Sequence, residues 1–380
     1  MLGLPVMTSH LGFGLSLVVI TALWGVMCFT GLLVLEVSLW FSEDVSYISM
    51  AHKTLGRWGR WIAWVSFLLL LYALMVAYLM AGNALISGAV SWLFGVDVPA
   101  WEGIVPWVVV FGLLIVLGAH AVDVINKFFM LGLCVFFAMM ATVIAPHMHT
   151  NIENVSHPAF ILLALPVVIT SFGYHIIIPT VCSYVQRDAR ALKKVIVIGS
   201  ALPLLIYLLW QWLVFSVLPQ TGPNSLHDIY LSGDAAGGLT HAVSMLADNA
   251  IVSLAVRFFI FFAVASSFIG VAMGLFDLLS DGVKSSAIPA NRFVIACLTF
   301  VPPILFTLLY PQGFLMALGY GGVFVAVLHG IMPALMVWRG RYHLQLAKKQ
   351  YQVMGGRVAL VAVILISLVV VYAQLALSVG

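Results

Sequence analysis

Ten apolar blocks, each long enough to cross a lipid bilayer as a helix, dominate this 380-residue chain. Such a crossing needs about 20 consecutive apolar residues. The blocks fall at 12–41, 61–95, 104–121, 122–145, 159–184, 195–218, 250–279, 291–310, 312–338 and 358–378. They run on without the period-two alternation of an outer-membrane barrel. Composition agrees: 63% of residues are hydrophobic and only 8% charged, against about 25% charged in a soluble domain. A soluble enzyme, a nucleic-acid-binding protein and a disordered scaffold are excluded. The expected fold is an all-α polytopic membrane protein.

The sixteen Lys and Arg residues set the expected orientation. Lys53, Arg57 and Arg60 follow the first block; Lys127 follows the third; Arg187, Arg190, Lys193 and Lys194 follow the fifth. Lys284 and Arg292 follow the seventh, and Arg339, Arg341, Lys348, Lys349 and Arg357 precede the last. All of these lie in alternate connections and so share one side, which the positive-inside rule makes cytoplasmic. The opposite side, including the long 219–249 connection, has no Lys or Arg, and Arg257 alone falls inside a block.

The connections leave no room for a soluble domain, and the longest is expected to be a cap at most. No phosphate-binding loop is present, so transport would draw on an ion gradient rather than ATP. Cys28, Cys134, Cys182 and Cys297 stand singly in apolar stretches, with neither disulfide nor zinc-type spacing. His147, His149 and His157 lack accompanying Cys or carboxylates and read as solvated loop rather than metal ligands. The first apolar stretch lacks a basic leader and continues into a span, so no cleavable signal peptide is expected.

Carriers bind where a membrane helix is interrupted, because only there do backbone N–H and C=O groups face a cavity. Block 159–184 holds Pro166, then Thr170-Ser171-Phe172-Gly173-Tyr174-His175, then Pro179. A polar, glycine-containing hexapeptide at mid-span predicts unwinding; a kinked but continuous helix is the alternative. A second interruption is expected at the N-terminus, where Met1–Thr8 looks like the second half of a broken span. Supplying its first half would make eleven spans, and a start codon upstream of Met1 is the expected explanation.

The run MLGLPV through Leu33-Val34-Leu35-Glu36-Val37 is similar to the start of bacterial aromatic amino acid permeases, within the hydroxy and aromatic amino acid permease family. Ser171-Phe172-Gly173-Tyr174-His175 resembles their segment in a discontinuous sixth helix. Further matches are Tyr72-Ala73-Leu74, Ser267 through Ala272 with Gly274-Leu275-Phe276-Asp277, and Tyr310-Pro311 with Met316 through Tyr320. The tyrosine-specific members are the most similar. The resemblance implies a leucine-transporter-like architecture: two inverted repeats of five helices, 1–145 and 159–338, then an additional helix at 358–378. Counted with the stub as span 1, the interrupted block is span 6, where a second repeat would start.

A zwitterionic substrate can be held without charged side chains. A half-helix N-terminus suits a carboxylate, which places Met1 and Gly3 at that group, and carbonyls freed around Ser171 to Gly173 suit the ammonium. Phe172, Tyr72, Tyr78, Asn83 and Tyr320 are candidate walls for an aromatic side chain, with a lipid-facing or packing role as the alternative for each aromatic. His175 serves as a proton-coupling group, as a hydrogen-bond partner of a substrate hydroxyl, or as a structural histidine bonded to backbone. Ser266 and Ser267 either pack a small-residue helix face or match hydroxyls that sodium carriers of this architecture use. Arg257 is a gate cation or a snorkelling residue. Glu36 and Asp277 are expected to pair with bases near span ends.

The function expected is import of an aromatic amino acid, foremost tyrosine, by proton symport across a bacterial cytoplasmic (inner) membrane. Tryptophan, serine or sodium coupling remain alternatives. No cofactor, metal, nucleic acid or obligate protein partner is implied. A membrane enzyme would need clustered catalytic residues such as HExxH, which are missing, and a channel would need a continuous polar stripe.

Overall fold

A computed structural model describes residues 3–41, 45–96, 99–149, 152, 155–246, 250–284, 291–310, 313–346 and 351–379. Among these residues the secondary structure is entirely helical. In chain order the helices are α1 (Gly3–Met7), α2 (Gly12–Leu39), α3 (Tyr47–Phe94), α4 (Ala100–Leu117) and α5 (Ala119–Ile144). Then come α6 (Ile161–Thr170), α7 (Ile178–Tyr184), α8 (Ala189–Val217), α9 (Leu226–Ser232) and α10 (Ala235–Leu246). The last are α11 (Ala250–Lys284), α12 (Arg292–Leu309), α13 (Phe314–Val325), α14 (Met332–Tyr342) and α15 (Gly356–Val379). Nine helical stretches among the described residues are long and apolar enough to cross a membrane, with a shorter tenth at Glu102–Leu117.

The expected spans are recovered, with two corrections. The span read as 61–95 begins at Tyr47, because the basic segment before it is also helical and joins it through a kink at Gly56, φ 79°. Charged residues at the end of a membrane helix keep their heads in water without ending the helix, so Lys53, Arg57 and Arg60 ride on α3. The 219–249 connection is not a plain loop but carries α9 and α10. Ser225 caps α9 by accepting the Asp228 N–H, and Gly233 ends it in the left-handed region.

The chain divides into two compact parts. The first comprises Met1–Phe13, Leu71–Ser156 and Trp210–Leu318. Its core is aromatic: Phe136 stacks on Phe258 and Phe262 at 5.0 and 5.6 Å, and Trp107 meets Phe111 at 4.6 Å. Gly132 of α5 lets the ring of Phe262 on α11 approach to where a Cβ would sit 2.8 Å away, the small-residue route by which membrane helices pack closely. The stub α1 is buried here. The Thr8 hydroxyl donates to Leu4 O, and Gln211 donates to Thr8. Gly12, at φ 70°, separates the stub from α2.

The second part comprises Gly14–Leu70, His157–Leu209 and Gly319–Gly380. Here α15 packs along α6 and along the α13–α14 junction. A Cβ on Gly322 of α13 would overlap the carbonyl of Pro166. Near the helix ends, Glu36 is fully buried and accepts two hydrogen bonds from Arg341, one of 2.6 Å to Nε, and one from the Val353 N–H at 2.7 Å. The expected Glu36 pairing is therefore present, and it is buried rather than interfacial. Asp277 is exposed on α11.

Candidate functional site

Span 159–184 is broken where its sequence predicts. Helix α6 ends at Thr170, the chain turns through Ser171–Tyr174, and a short 3-10 turn at His175–Ile177 leads into α7. Local chemistry explains the break. Thr170 and Ser171 turn their hydroxyls back onto Pro166 O and Val167 O, at 2.7 and 3.1 Å, offering the backbone an alternative to the helical ladder. Pro179 then starts α7, where its missing N–H costs nothing.

Partners from distant segments hold the break. Tyr207 of α8 donates its hydroxyl to Ser171 O at 3.0 Å, and its ring lies 5.3 Å from that of Phe172. The Tyr174 hydroxyl reaches Met27 O at 3.4 Å over Gly31, where a Cβ would sit 2.6 Å from the same oxygen. Trp24 donates to Ser200 at 3.2 Å. Ser171, Phe172, Gly173, Tyr174, Ser200 and Tyr207 wall a cavity of about 400 Å³, within the usual range of small-molecule sites, about 300–1,000 Å³. Its rim is apolar, with Ile177 and Val195 58% and 45% exposed.

His175 is fully buried, and its Nε2 lies 2.8 Å from the Thr30 hydroxyl. Thr30 donates to Met27 O at 3.1 Å, so hydrogen-bond logic assigns the imidazole hydrogen to Nε2 and leaves Nδ1 as a lone pair. The ring stacks on His329 with centroids 4.4 Å apart and planes 8° from parallel. Gly173 is exposed, and a Cβ there would meet His329 Cε1 at 3.4 Å. Tyr320 is half-buried on α13.

The other expected residues belong to the first part. Met1 lies outside the described residues. Gly3 is buried on α1, where a Cβ would meet Leu318 at 3.3 Å. Tyr72 donates to Leu298 O at 2.7 Å, tying α3 to α12, so its hydroxyl is engaged. Tyr78 is half-buried on α3. Asn83 lines a polar cavity of about 420 Å³ with Ser87, Ser91, Asp234 and Gly237. Arg257 reaches the Gly88 carbonyl at the wall of that cavity, at 3.5 Å. Ser266 donates to Asn126 Oδ1 at 2.7 Å. Among the described residues no group of three His, Cys, Asp or Glu side chains is placed to hold a metal ion.

Sequence reasoning missed Thr30, Tyr207, Asn126 and His329. Each belongs to a helix far along the chain from its partner. Only Pro333, four residues past His329, signals a disturbance near one of them.

Nine apolar helices long enough to cross a membrane among the described residues, one of them opened at its middle beside a cavity, define a polytopic membrane protein of the carrier type. The chain belongs to the tryptophan/tyrosine permease family, whose pattern it matches over residues 1–374. It is 32% identical to tyrosine-specific transport system 1 of Haemophilus influenzae, an alignment covering 100% of this chain and 94% of that protein. Tyrosine-specific transport system 2 of the same organism is 33% identical over 97% of this chain and 91% of its own length. The tryptophan-specific transport protein of H. influenzae is 29% identical, covering 100% and 93%. This is an aromatic amino acid permease-family transporter, not an enzyme.

Proposed function

We propose that the chain imports tyrosine with a proton across the cytoplasmic membrane of a bacterium, its basic connections facing the cytoplasm. The observation that carries the reading is the opened backbone at Ser171–Tyr174, set beside the fully buried His175. A zwitterion needs opposed donors and acceptors, and a broken membrane helix supplies both without charged side chains. Tyr207 occupies Ser171 O, which leaves the Gly173 carbonyl for the substrate ammonium. Phe172 and Tyr207, whose rings wall the cavity beside the break, receive the aromatic side chain. Arg257 acts as the gate cation.

The architecture in this proposal is two inverted five-helix repeats, 1–145 and 159–338, with 358–378 as the additional helix. Proton coupling is favoured over sodium because buried His175 places an ionisable group beside the break. Tyrosine is placed ahead of tryptophan because the tyrosine-specific relatives named above share 32% and 33% identity, against 29% for the tryptophan-specific one.

Radiolabelled tyrosine uptake into proteoliposomes tests this. Uptake should rise with an imposed inward proton gradient, ignore sodium, and be competed more strongly by unlabelled tyrosine than by tryptophan. Stimulation by sodium alone would overturn proton coupling, and stronger competition by tryptophan would reverse the substrate order.

A further inference from the structure

Between α13 and α14 six residues, Ala326–Ile331, are wound as a π-helix. Such wide turns mark the insertion of a residue into an α-helix, frequently at functional sites. The cause lies in Pro333, which has no N–H for the carbonyls behind it and whose ring crowds the carbonyl four residues back. Tyr47 donates its hydroxyl to one of those carbonyls, Leu328 O. The neighbouring side chain, His329, turns inward and is 1% exposed, with neither ring nitrogen hydrogen-bonded.

Its face lies against His175, whose Nδ1 is likewise buried without a partner. Three ring nitrogens thus stand unsatisfied at one place, an arrangement that is costly unless a function retains it. The surrounding elements bring Cys28 and Glu36 on α2, Tyr47 on α3, Tyr174 in the break, Cys182 on α7, and Arg341 on α14. Glu36 and Arg341 neutralise one another, and the Tyr174 and Tyr47 hydroxyls are bonded to backbone carbonyls. From α15, Arg357 sits over the rings of Trp338 and Tyr342, and Tyr372 is 67% exposed. No carboxylate hydrogen-bonds either imidazole among the described residues.

We propose that His175 and His329 form one protonation site, which takes up a single proton on an edge nitrogen of one of the two stacked rings, and that this pair carries the coupled proton. This rests on the proton-symport reading above. One imidazolium is stabilised by the π-face of its neutral neighbour, while a second proton would put like charges face to face. The incoming proton binds an unpartnered lone pair, on His175 Nδ1 or on His329, and leaves as the opposite side opens. Ile176 and Leu328, the chain neighbours of the two histidines, both line a cavity of about 500 Å³ together with Tyr47. Water-sized space therefore comes within one residue of the pair.

The test follows the imidazole nitrogens by NMR in the full chain, 15N-labelled at histidine in nanodiscs, with His175→Gln and His329→Gln assigning the signals. In the wild type both rings should shift together over one titration that takes up a single proton. His329→Gln should move the His175 midpoint by about one pH unit or more, the coupling expected of interacting sites. Independent titrations, or an unmoved His175 midpoint, overturn the pair. The wild-type measurement stands even if a variant fails to insert. In proteoliposomes, an inward gradient of one pH unit should drive about tenfold tyrosine accumulation at one proton per substrate, and His329→Gln should abolish that response. If the wild type ignores the gradient, the symport reading fails, and the coupling role of the pair with it. If His329→Gln keeps the wild-type response, the pair fails and symport stands.

Discussion

Tyr207 donates its hydroxyl to the carbonyl of Ser171, 3.0 Å away, at the point where α6 stops being a helix. The bond joins two stretches of chain that no local rule connects, and it occupies an acceptor the break has set free. Removing one partner of such a bond costs about 1–3 kcal/mol. Tyr207→Phe keeps the ring against Phe172 but deletes the donor. The initial rate of tyrosine uptake should fall about tenfold with membrane insertion intact, and an unchanged rate would make the contact incidental.

Gly173 lies within the break, and its Cβ position is 3.4 Å from His329 Cε1. Alanine fits there at contact distance, whereas the added methyls of valine must displace the imidazole. Gly173→Val should abolish uptake while the protein still reaches the membrane, and Gly173→Ala should retain part of it. Wild-type uptake by the valine variant would remove this segment from the transport path.

His175 is the titratable group at the break. In the wild type, uptake should rise as the outer pH is lowered, because that raises the inward proton gradient. His175→Ala should flatten that profile. A profile that keeps its shape would return His175 to a purely structural role as the partner of Thr30.

Glu36 and Arg341 are buried at 0% and 8% side-chain exposure. Breaking a buried ion pair by removing one member costs about 3–5 kcal/mol, since the other charge is left alone. Glu36→Gln and Arg341→Met should each lower the melting temperature in detergent, and the double variant should recover part of the loss. Additive losses would show that the two residues do not act as a pair.

Gly322 faces the Pro166 carbonyl, and both are backbone, so neither can yield as a flexible side chain would. Overpacking of this kind costs about 1–3 kcal/mol. Gly322→Ala should lower thermal stability, measured by fluorescence-detected gel filtration after heating. Gly25→Ala, where nothing lies within 4 Å, should leave it unchanged.

Two features of the fold were legible because they are local. A run of apolar residues must be a helix in lipid, whatever it later packs against. The hexapeptide 170–175 carries its own hydroxyls and is followed by Pro179, so its unwinding needs no distant partner. The helical start of α3 at Tyr47 was hidden because Lys53, Arg57 and Arg60 look like loop punctuation, although a membrane helix can carry such residues at its end.

The amino-acid order by itself marked out which stretches are long and apolar enough to cross a bilayer, and where one of them opens. These follow from the cost of placing charge and bare backbone in hydrocarbon, which acts segment by segment. Tertiary packing alone decided what meets the opened segment. Thr30 and His329 reach His175 from α2 and from the π-helical turn, 145 and 154 positions away in the numbering. Hydrogen bonds and ring stacking act over a few ångströms in space, and neither leaves a mark in the sequence spacing of the residues that make them.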